Sequence, residues 1–434
     1  MRDIVFFGIC APWLVLATIS PFAGILIWSW ISFMNPHQLV WGFARTPPWA
    51  MLAFMATVVG CVLAGEPKRA ALNSVTVLLL AFLAWITLTS MIALAPPSAV
   101  WPMWDRVMKV ILGLLLTAAL LTSRDRIHAM VWMMVLSLGY FGVRGGIFTL
   151  VTGGGHIVLG PEQTMIADRN HLAVGMLISI PLMNWLRLHS KYRLIRIGLI
   201  AAMGLTLVAV LGSQSRGALL ALIATGGVLW LRSRGKVVSG IAIVAAVAGA
   251  IAFMPQTWVS RMETMQNYEE DASATGRILI WMSAYEMARE RPLTGGGFRA
   301  VYQQEIVDRL TPGVAARATH SIWFEVLGEH GWVGFGIWFA LLLAGIWQTF
   351  RLAALARGQP KLRWAWDLAR MSQVSIVAYM AGGTFLSLSY WDYFWTLLVV
   401  VAAARAVVLR QARQETERVR TVATGGWRSR AQAA

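Results

Sequence analysis

Residues 195–231 read IRIGLIAAMGLTLVAVLGSQSRGALLALIATGGVLWL, and this stretch decides the fold. Two apolar runs, near 195–212 and 217–231, flank a turn of a few polar residues. Apolar runs of about twenty residues are the length that crosses the hydrocarbon core of a bilayer as a helix. Such runs recur along the chain, in which 58% of the 434 residues are hydrophobic and 13% are charged. We therefore predict an all-α polytopic membrane protein.

Clusters of basic residues in alternate loops, and the basic tail from Arg405 to Arg430, predict which loops face the cytoplasm. This distribution accounts for the net charge of +17 through membrane insertion and anionic lipid, so we expect no nucleic-acid partner. The remaining predicted spans lie near 48–65, 71–94, 105–122, 127–151, 170–188, 237–254, 321–350, 370–388 and 393–409.

The first apolar stretch, residues 4–34, contains Pro12 and Pro21. We assign it one crossing, which gives about twelve spans with both termini in the cytoplasm; two crossings would place the amino terminus outside. The predicted regions are a first set of transmembrane helices at 1–254, a large loop at 255–319, further transmembrane helices at 320–409 and a basic cytoplasmic tail at 410–434.

The loop at 255–319 is the only long polar segment, with eight carboxylates and seven arginines, and it falls on the extracytoplasmic side. Thr275 to Glu290 has the pattern of an amphipathic helix, with Ile278, Trp281, Met282 and Tyr285 on one face. Phe298 to Leu310 predicts a second helix. The glycines at 295–297 between them indicate a turn, with a phosphate-binding nest as the weaker alternative. We expect the loop to fold as a lid.

His320 ends this loop, immediately before the next apolar run. Imidazole titrates near neutral pH, so a histidine at the boundary between lid and membrane is placed to remove a proton from a hydroxyl. The alternative is a histidine that caps a helix or lies at the interface.

Four arginines break the pattern of cytoplasmic positive charge. Arg216 lies in the outward turn of residues 213–217, Arg144 lies inside an apolar span, Arg169 begins the next span, and Arg277 begins the first lid helix. An ionisable residue near membrane depth is costly and predicts a functional site, and guanidinium groups suit phosphate oxygens. We predict that these arginines bind a diphosphate.

The same turn contains Gln214, and Asp168 and Asp392 are the acids most suited to support these arginines or to pair with Arg216 in a structural ion pair. The sequence contains no DxD pair, no HExxH motif and no comparable ligand cluster. We therefore expect neither a metal nor a cofactor.

From His320 the chain reads His-Ser, nine further residues, then Gly331-Trp332-Val333-Gly334. This resembles the signature of the bacterial O-antigen ligase and polymerase superfamily, as do Ser215-Arg216-Gly217 and the segment Pro292 to Phe298. The resemblance is strongest over about 205–340. The stretch Trp28 to His37 also resembles O-glycosylation ligases associated with exosortase systems.

The resemblance implies a metal-independent, inverting glycosyltransferase of the membrane-embedded class C type. Its donor would be a glycan on undecaprenyl diphosphate, its acceptor a sugar hydroxyl of lipid A-core, and its place the periplasmic face of the bacterial inner membrane, as a monomer. The resemblance also makes His320 the base and Arg216 the essential arginine. An O-antigen polymerase or an exosortase-associated O-glycosylation ligase is the alternative that uses the same donor. A lipid-linked oligosaccharide transporter is the alternative of another class.

Overall fold

The computed structural model of the chain describes residues 1–66, 68, 72–232, 235–237, 240–241, 249 and 272–431. Helices are the regular elements throughout these residues. In chain order they are α1 (Arg2–Ile19), α2 (Pro21–Met34), α3 (Trp49–Leu63), α4 (Ser74–Met91), α5 (Pro97–Leu120), α6 (Arg124–Val151), α7 (Arg169–His189), α8 (Arg193–Gly212), α9 (Arg216–Arg232), α10 (Ala272–Glu290), α11 (Gln304–Leu310), α12 (Ile322–Ala356), α13 (Arg363–Gly383) and α14 (Asp392–Ala431). Short 3-10 helices form at Pro36–Leu39, Ala300–Tyr302 and Pro360–Leu362.

Seven helices in the described part are long and apolar enough to cross a membrane, and three shorter apolar helices accompany them. The seven are α1, α4, α6, α7, α8, α12 and α14, and the shorter three are α2, α3 and α9. These helices agree with a polytopic membrane protein, but they do not confirm the count of twelve. The span predicted at 237–254 and the first part of the lid, 255–271, lie largely or wholly outside the described residues.

Glycines on α6 permit its close packing against α8. A side chain at Gly142 would overlap Thr206, and one at Gly146 would lie 2.1 Å from the carbonyl oxygen of Leu205. Close backbone approach of this kind is how helices associate in lipid, where apolar side chains gain little from leaving the bilayer.

Polar contacts mark the two ends of the bundle. At one end, which we call the Arg126 end, Arg126 forms a salt bridge of 2.7 Å with Glu66, and Arg410 donates to the carbonyl oxygen of Thr122. The opposite end, which we call the His320 end, contains the lid and the loop between α13 and α14. Charged groups at both ends and apolar helices between them are the arrangement expected across a bilayer.

Residues 4–34 fold as a helical hairpin, and the prediction of one broken crossing is wrong for this reason. Ser20 is extended between α1 and α2, and Pro21 occupies the first position of α2, where the missing proline N–H costs no hydrogen bond. The indole of Trp13 stacks on that of Trp30, so the two helices lie side by side. The Ser20 hydroxyl donates to Glu66 at the Arg126 end.

The hairpin returns the amino terminus to the His320 end. Asp3 accepts hydrogen bonds from the backbone amides of Gly42 and Ala44, in the segment that follows α2. Ser32 of α2 donates to Asp392, the first residue of α14. The two termini therefore lie at opposite ends of the described bundle. This arrangement agrees with the alternative of two crossings by residues 4–34.

The lid keeps its first predicted helix, α10, but it buries a different face. Gly276, Ile280, Ala284 and Met287 are buried, whereas Met282 and Tyr285 are exposed. Small residues decide this orientation, because Ala284 approaches Gly328 of α12 so closely that a side chain at Gly328 would lie 2.9 Å from the Ala284 Cβ.

The second predicted lid helix, Phe298 to Leu310, is interrupted. Arg299 has a left-handed backbone with φ of 64°, and Gln303 is extended. The segment therefore forms the 3-10 turn Ala300–Tyr302 and then α11.

The basic tail continues α14 as one helix to Ala431, so the boundary predicted at residue 410 marks a change of composition and not of structure.

Candidate functional site

His320 lies at the junction of the lid and α12, with a left-handed backbone of φ 47° and a half-buried side chain. Its backbone amide donates to the hydroxyl of Ser387, 3.2 Å away. The preceding residue is held as well, since the indole of Trp281 donates to the carbonyl oxygen of Thr319 at 2.6 Å. A non-glycine residue in this conformation is held by its surroundings, and such residues concentrate at functional sites.

The His320 pKa is lowered, first by burial and then by the guanidinium groups of Arg277 and Arg317, while Asp168 opposes the shift. Both principal causes disfavour the imidazolium form. His320 is therefore neutral near neutral pH and has a nitrogen that can accept a proton.

The turn before Arg216 is ordered by its own polar side chains. Gln214 has a left-handed backbone, and its amide donates to the carbonyl oxygen of Gly154 at 3.2 Å. The Ser215 hydroxyl accepts from the amide of Ala218 and caps α9. Arg216, the first residue of α9, is half-buried. Gln214 thus holds the turn to the 152–160 segment, and its supporting role in the site stays a prediction.

The loop at 384–391 joins the Arg216 turn to His320. A Cβ added at Gly217 would lie 3.8 Å from the Cβ of Phe385, so this loop packs against the start of α9. Two residues further on, Ser387 accepts the hydrogen bond from His320. The two sequence motifs, about a hundred positions apart, therefore meet at one loop that sequence reasoning did not single out.

The start of α7 forms a third side of the site. Asp168 accepts from the amide of Asn170 at 2.8 Å, and its carboxylate lies 3.5 Å from Nδ1 of His171. Burial raises the Asp168 pKa, but His171 and the Asn170 amide outweigh it and lower the pKa below its ordinary value. His171 interacts electrostatically with His320. Arg169, between Asp168 and Asn170, is half-buried at the same helix start.

Two buried carboxylates on α12 were not predicted. Glu325 accepts from the hydroxyl and amide of Ser389, and Glu329 accepts from the Tyr390 hydroxyl at 2.7 Å and from the Arg299 amide at 2.9 Å. These contacts tie the lid and the 384–391 loop to the first turns of α12. The sequence did contain a signal, because two carboxylates four residues apart in an apolar helix are costly unless they are bonded.

The glycines of the signature form a break in α12. Gly331 has φ 66° and ψ −172°, a conformation open to glycine alone, and the carbonyl groups of Gly328 and Glu329 are freed there. The amides of Gly296 and Gly297 donate to these two carbonyl groups at 2.9 and 2.8 Å. Because the amides of these lid glycines already donate to α12, they do not form a phosphate-binding nest.

Arg144 and Asp392 are not brought to His320 by any described contact. Arg144 lies on an exposed stripe of α6 with Tyr140 and Ile147, on the side away from the glycines that pack on α8. Asp392 is buried and accepts from Ser32 and from the amide of Tyr393.

No group of three or more His, Cys, Asp or Glu side chains within the described residues has the arrangement of a metal site. The site combines arginine guanidinium groups, the imidazoles of His320 and His171 and the carboxylate of Asp168, an arrangement suited to an anionic substrate and to proton transfer.

The described residues form an all-helical fold compatible with a polytopic membrane protein, and the candidate site lies where residues 272–319 meet α12. Residues 201–339 match the family described as O-Antigen ligase, and residues 1–191 match a family of unknown function. The match over residues 201–339 supports an O-antigen ligase-type superfamily member. That family implies glycosyltransferase-like ligase or polymerase activity on lipid-linked glycans in general terms. No curated protein matches the chain.

The site uses residues from both matched segments and from outside them. Arg216, Arg277 and His320 belong to the segment that matches the ligase family, whereas Asp168 and His171 belong to the segment of unknown function. The 384–391 loop follows both.

Proposed function

We propose that the protein is an O-antigen ligase that transfers a glycan from undecaprenyl diphosphate to a sugar hydroxyl of lipid A-core. The reaction takes place at the periplasmic face of the bacterial inner membrane, and it needs neither a metal nor a cofactor. The proposal depends above all on one observation, the meeting of the Arg216 turn and His320 at the 384–391 loop.

In the proposed reaction His320 removes the proton from the acceptor hydroxyl as the oxygen attacks the anomeric carbon. The bond from that carbon to the diphosphate oxygen breaks on the opposite face, so the anomeric configuration inverts in one displacement. Undecaprenyl diphosphate leaves with the electron pair of that bond, and the developing negative charge is stabilised by guanidinium groups that can pair bidentately with the diphosphate oxygens.

Arg216 and Arg277 are the proposed principal diphosphate ligands, since both have structural connections to the His320 region. Arg169 is proposed as a further ligand from the adjacent start of α7. Asp168 is proposed to support the site through His171. Arg144 stays a proposal from the topology alone, and Asp392 is proposed only as a support of the α2–α14 contact.

The test is transfer by the purified protein in liposomes, given undecaprenyl-diphosphate glycan and rough lipopolysaccharide. A ladder of modified lipopolysaccharide is the expected product. Long glycan that remains on undecaprenyl would instead identify a polymerase, and the absence of either product would reject the proposed chemistry.

The matched control is His37→Ala. His37 is a half-buried histidine whose pKa is also lowered by burial and by a neighbouring arginine, Arg45, but it lies in the segment after α2. Transfer should survive His37→Ala and be lost in His320→Ala.

A further inference from the structure

Arg317 has an unusual position in the lid. Its guanidinium group lies against Gly276 of α10, in the space that a side chain at that position would fill. A Cβ built on Gly276 would be 2.3 Å from Nη2 of Arg317 and 2.6 Å from both Cζ and Nη1. Gly276 therefore provides the space that Arg317 occupies against α10, the helix that also carries Arg277.

Arg317 lacks a matching acid within the described part of the chain. Its Nε atom is buried and has no hydrogen-bond partner there, and none of the salt bridges found among those residues includes it. An unbonded buried donor costs free energy, more so when the group is charged. The guanidinium groups of Arg317 and Arg277 both disfavour a proton on His320.

We propose that Arg317 and Arg277 together form an oxyanion site on the lid side of His320, which binds the diphosphate of the lipid-linked donor. The inference rests on the proposed function and adds a ligand to it. Arg317 lies against the helix that carries Arg277, and both guanidinium groups act on His320, so they can present N–H donors to one anion beside that histidine.

The sharpest variant is Gly276→Ala, because it moves Arg317 without changing any charge. The methyl group would overlap the far end of a flexible side chain, so the guanidinium can shift while the helix stays intact. Alanine is also a better helix former than glycine, so this variant should fold. Gly204→Ala is the matched control, since nothing lies within 4 Å of a Cβ at Gly204 of α8.

The charge itself is tested with Arg317→Gln and Arg317→Lys, and with Arg309→Gln as control. Arg309 belongs to the same lid and forms an exposed salt bridge of 3.0 Å with Glu290. The measurement is binding of undecaprenyl diphosphate without sugar to the full chain in nanodiscs, alongside undecaprenyl phosphate and phosphatidylglycerol.

Arg317→Gln should weaken undecaprenyl diphosphate binding about tenfold to a hundredfold, the range for a lost charge-assisted hydrogen bond. Gly276→Ala should weaken it several-fold, and both controls should bind as the unaltered protein does. Wild-type affinity in Arg317→Gln would overturn the inference. So would an equal loss for phosphatidylglycerol and undecaprenyl diphosphate, which would assign the pair to bilayer headgroups.

The inference and the proposed function fail separately in these measurements. Normal transfer by Arg317→Gln with unchanged donor affinity rejects the oxyanion site and leaves the ligase proposal in place. Diphosphate binding that depends on Arg317, in a protein that transfers no glycan, supports the oxyanion site and rejects the ligase proposal.

Discussion

The backbone amide of His320 donates a hydrogen bond to the hydroxyl of Ser387, 3.2 Å away, and this bond connects the lid junction to the loop between α13 and α14. It fixes a residue whose left-handed backbone would otherwise relax. Ser387 therefore positions His320 without a chemical role of its own.

Ser387→Ala should lower the rate of transfer several-fold, because one hydrogen bond of about 0.5–1.5 kcal/mol is lost and His320 is less well oriented. Ser387→Thr keeps the hydroxyl and should restore most of the rate. The check is kcat and KM of both variants with the same donor and acceptor. A purely structural role would instead lower thermal stability and leave kcat per folded molecule unchanged.

His320→Ala should remove transfer, since a positioned base contributes about 10²- to 10⁴-fold, while donor binding is retained. Arg216→Ala should weaken donor binding as well, so a donor-binding assay separates the two variants. Near-normal turnover by His320→Ala would contradict the role of His320 as the base and would leave it the role of a helix cap.

The rate of transfer should depend on pH in the direction set by His320. Its pKa is lowered below 6.5 by burial, Arg277 and Arg317, so the neutral, proton-accepting form persists below pH 6.5. The rate should decrease as pH falls through this lowered pKa, and therefore at a lower pH than for a histidine of ordinary pKa. In Arg317→Gln the decrease should begin at a higher pH, because one opposing charge is gone. A pH–rate profile that is the same in both proteins would contradict this account.

Arg216→Lys should lose most of the transfer activity, although the charge is kept. An ammonium group is a point charge and cannot reproduce the planar pair of donors that a guanidinium presents to two phosphate oxygens. Complementation of a ligase-deficient strain measures the effect, with membrane levels of the variant as control. Near-normal complementation by the lysine variant would exclude bidentate diphosphate binding at Arg216.

Transfer should survive excess chelator, because the proposed charge stabilisation comes from arginines alone. The purified protein is assayed with and without chelator, before and after divalent ions are added back. Activity that disappears and returns with one particular ion would reject the metal-independent mechanism.

Gly331→Ala should destabilise the protein markedly. The backbone conformation at Gly331 costs about 1–3 kcal/mol for any other residue. In addition, the new methyl group would lie 2.5 Å from the carbonyl oxygen of Leu293. Gly336→Ala, on the same helix with open space around it, is the matched control. Thermal unfolding in detergent compares the two, and equal midpoints would show that the break tolerates a side chain.

The apolar runs predicted most helices because a bilayer-spanning helix needs little beyond length and hydrophobicity. Uniform hydrophobicity does not show which face of a helix packs inside the bundle. The sequence therefore predicted that Arg144 lies within a span, but not whether its side chain faces the bundle or the surroundings. The amphipathic pattern of α10 was misleading for a related reason, since Gly276 and Ala284 form its packed face by being small. The sequence did not predict a role for Arg317, because its position depends on the absence of a side chain at Gly276, forty-one residues earlier in the chain.

The hydrogen bonds from Gly296 and Gly297 to the carbonyl groups of Gly328 and Glu329 bear on how substrates exchange. These hydrogen bonds hold the lid against the break in α12. The lid therefore cannot move away as a rigid body unless two buried carbonyl groups lose their hydrogen-bond donors. The lipid-linked donor should then enter, and the product leave, by lateral diffusion in the bilayer beside the lid. Crosslinking α10 to α12 should therefore leave turnover intact, whereas excising the lid would leave the carbonyl groups of Gly328 and Glu329 without these hydrogen bonds.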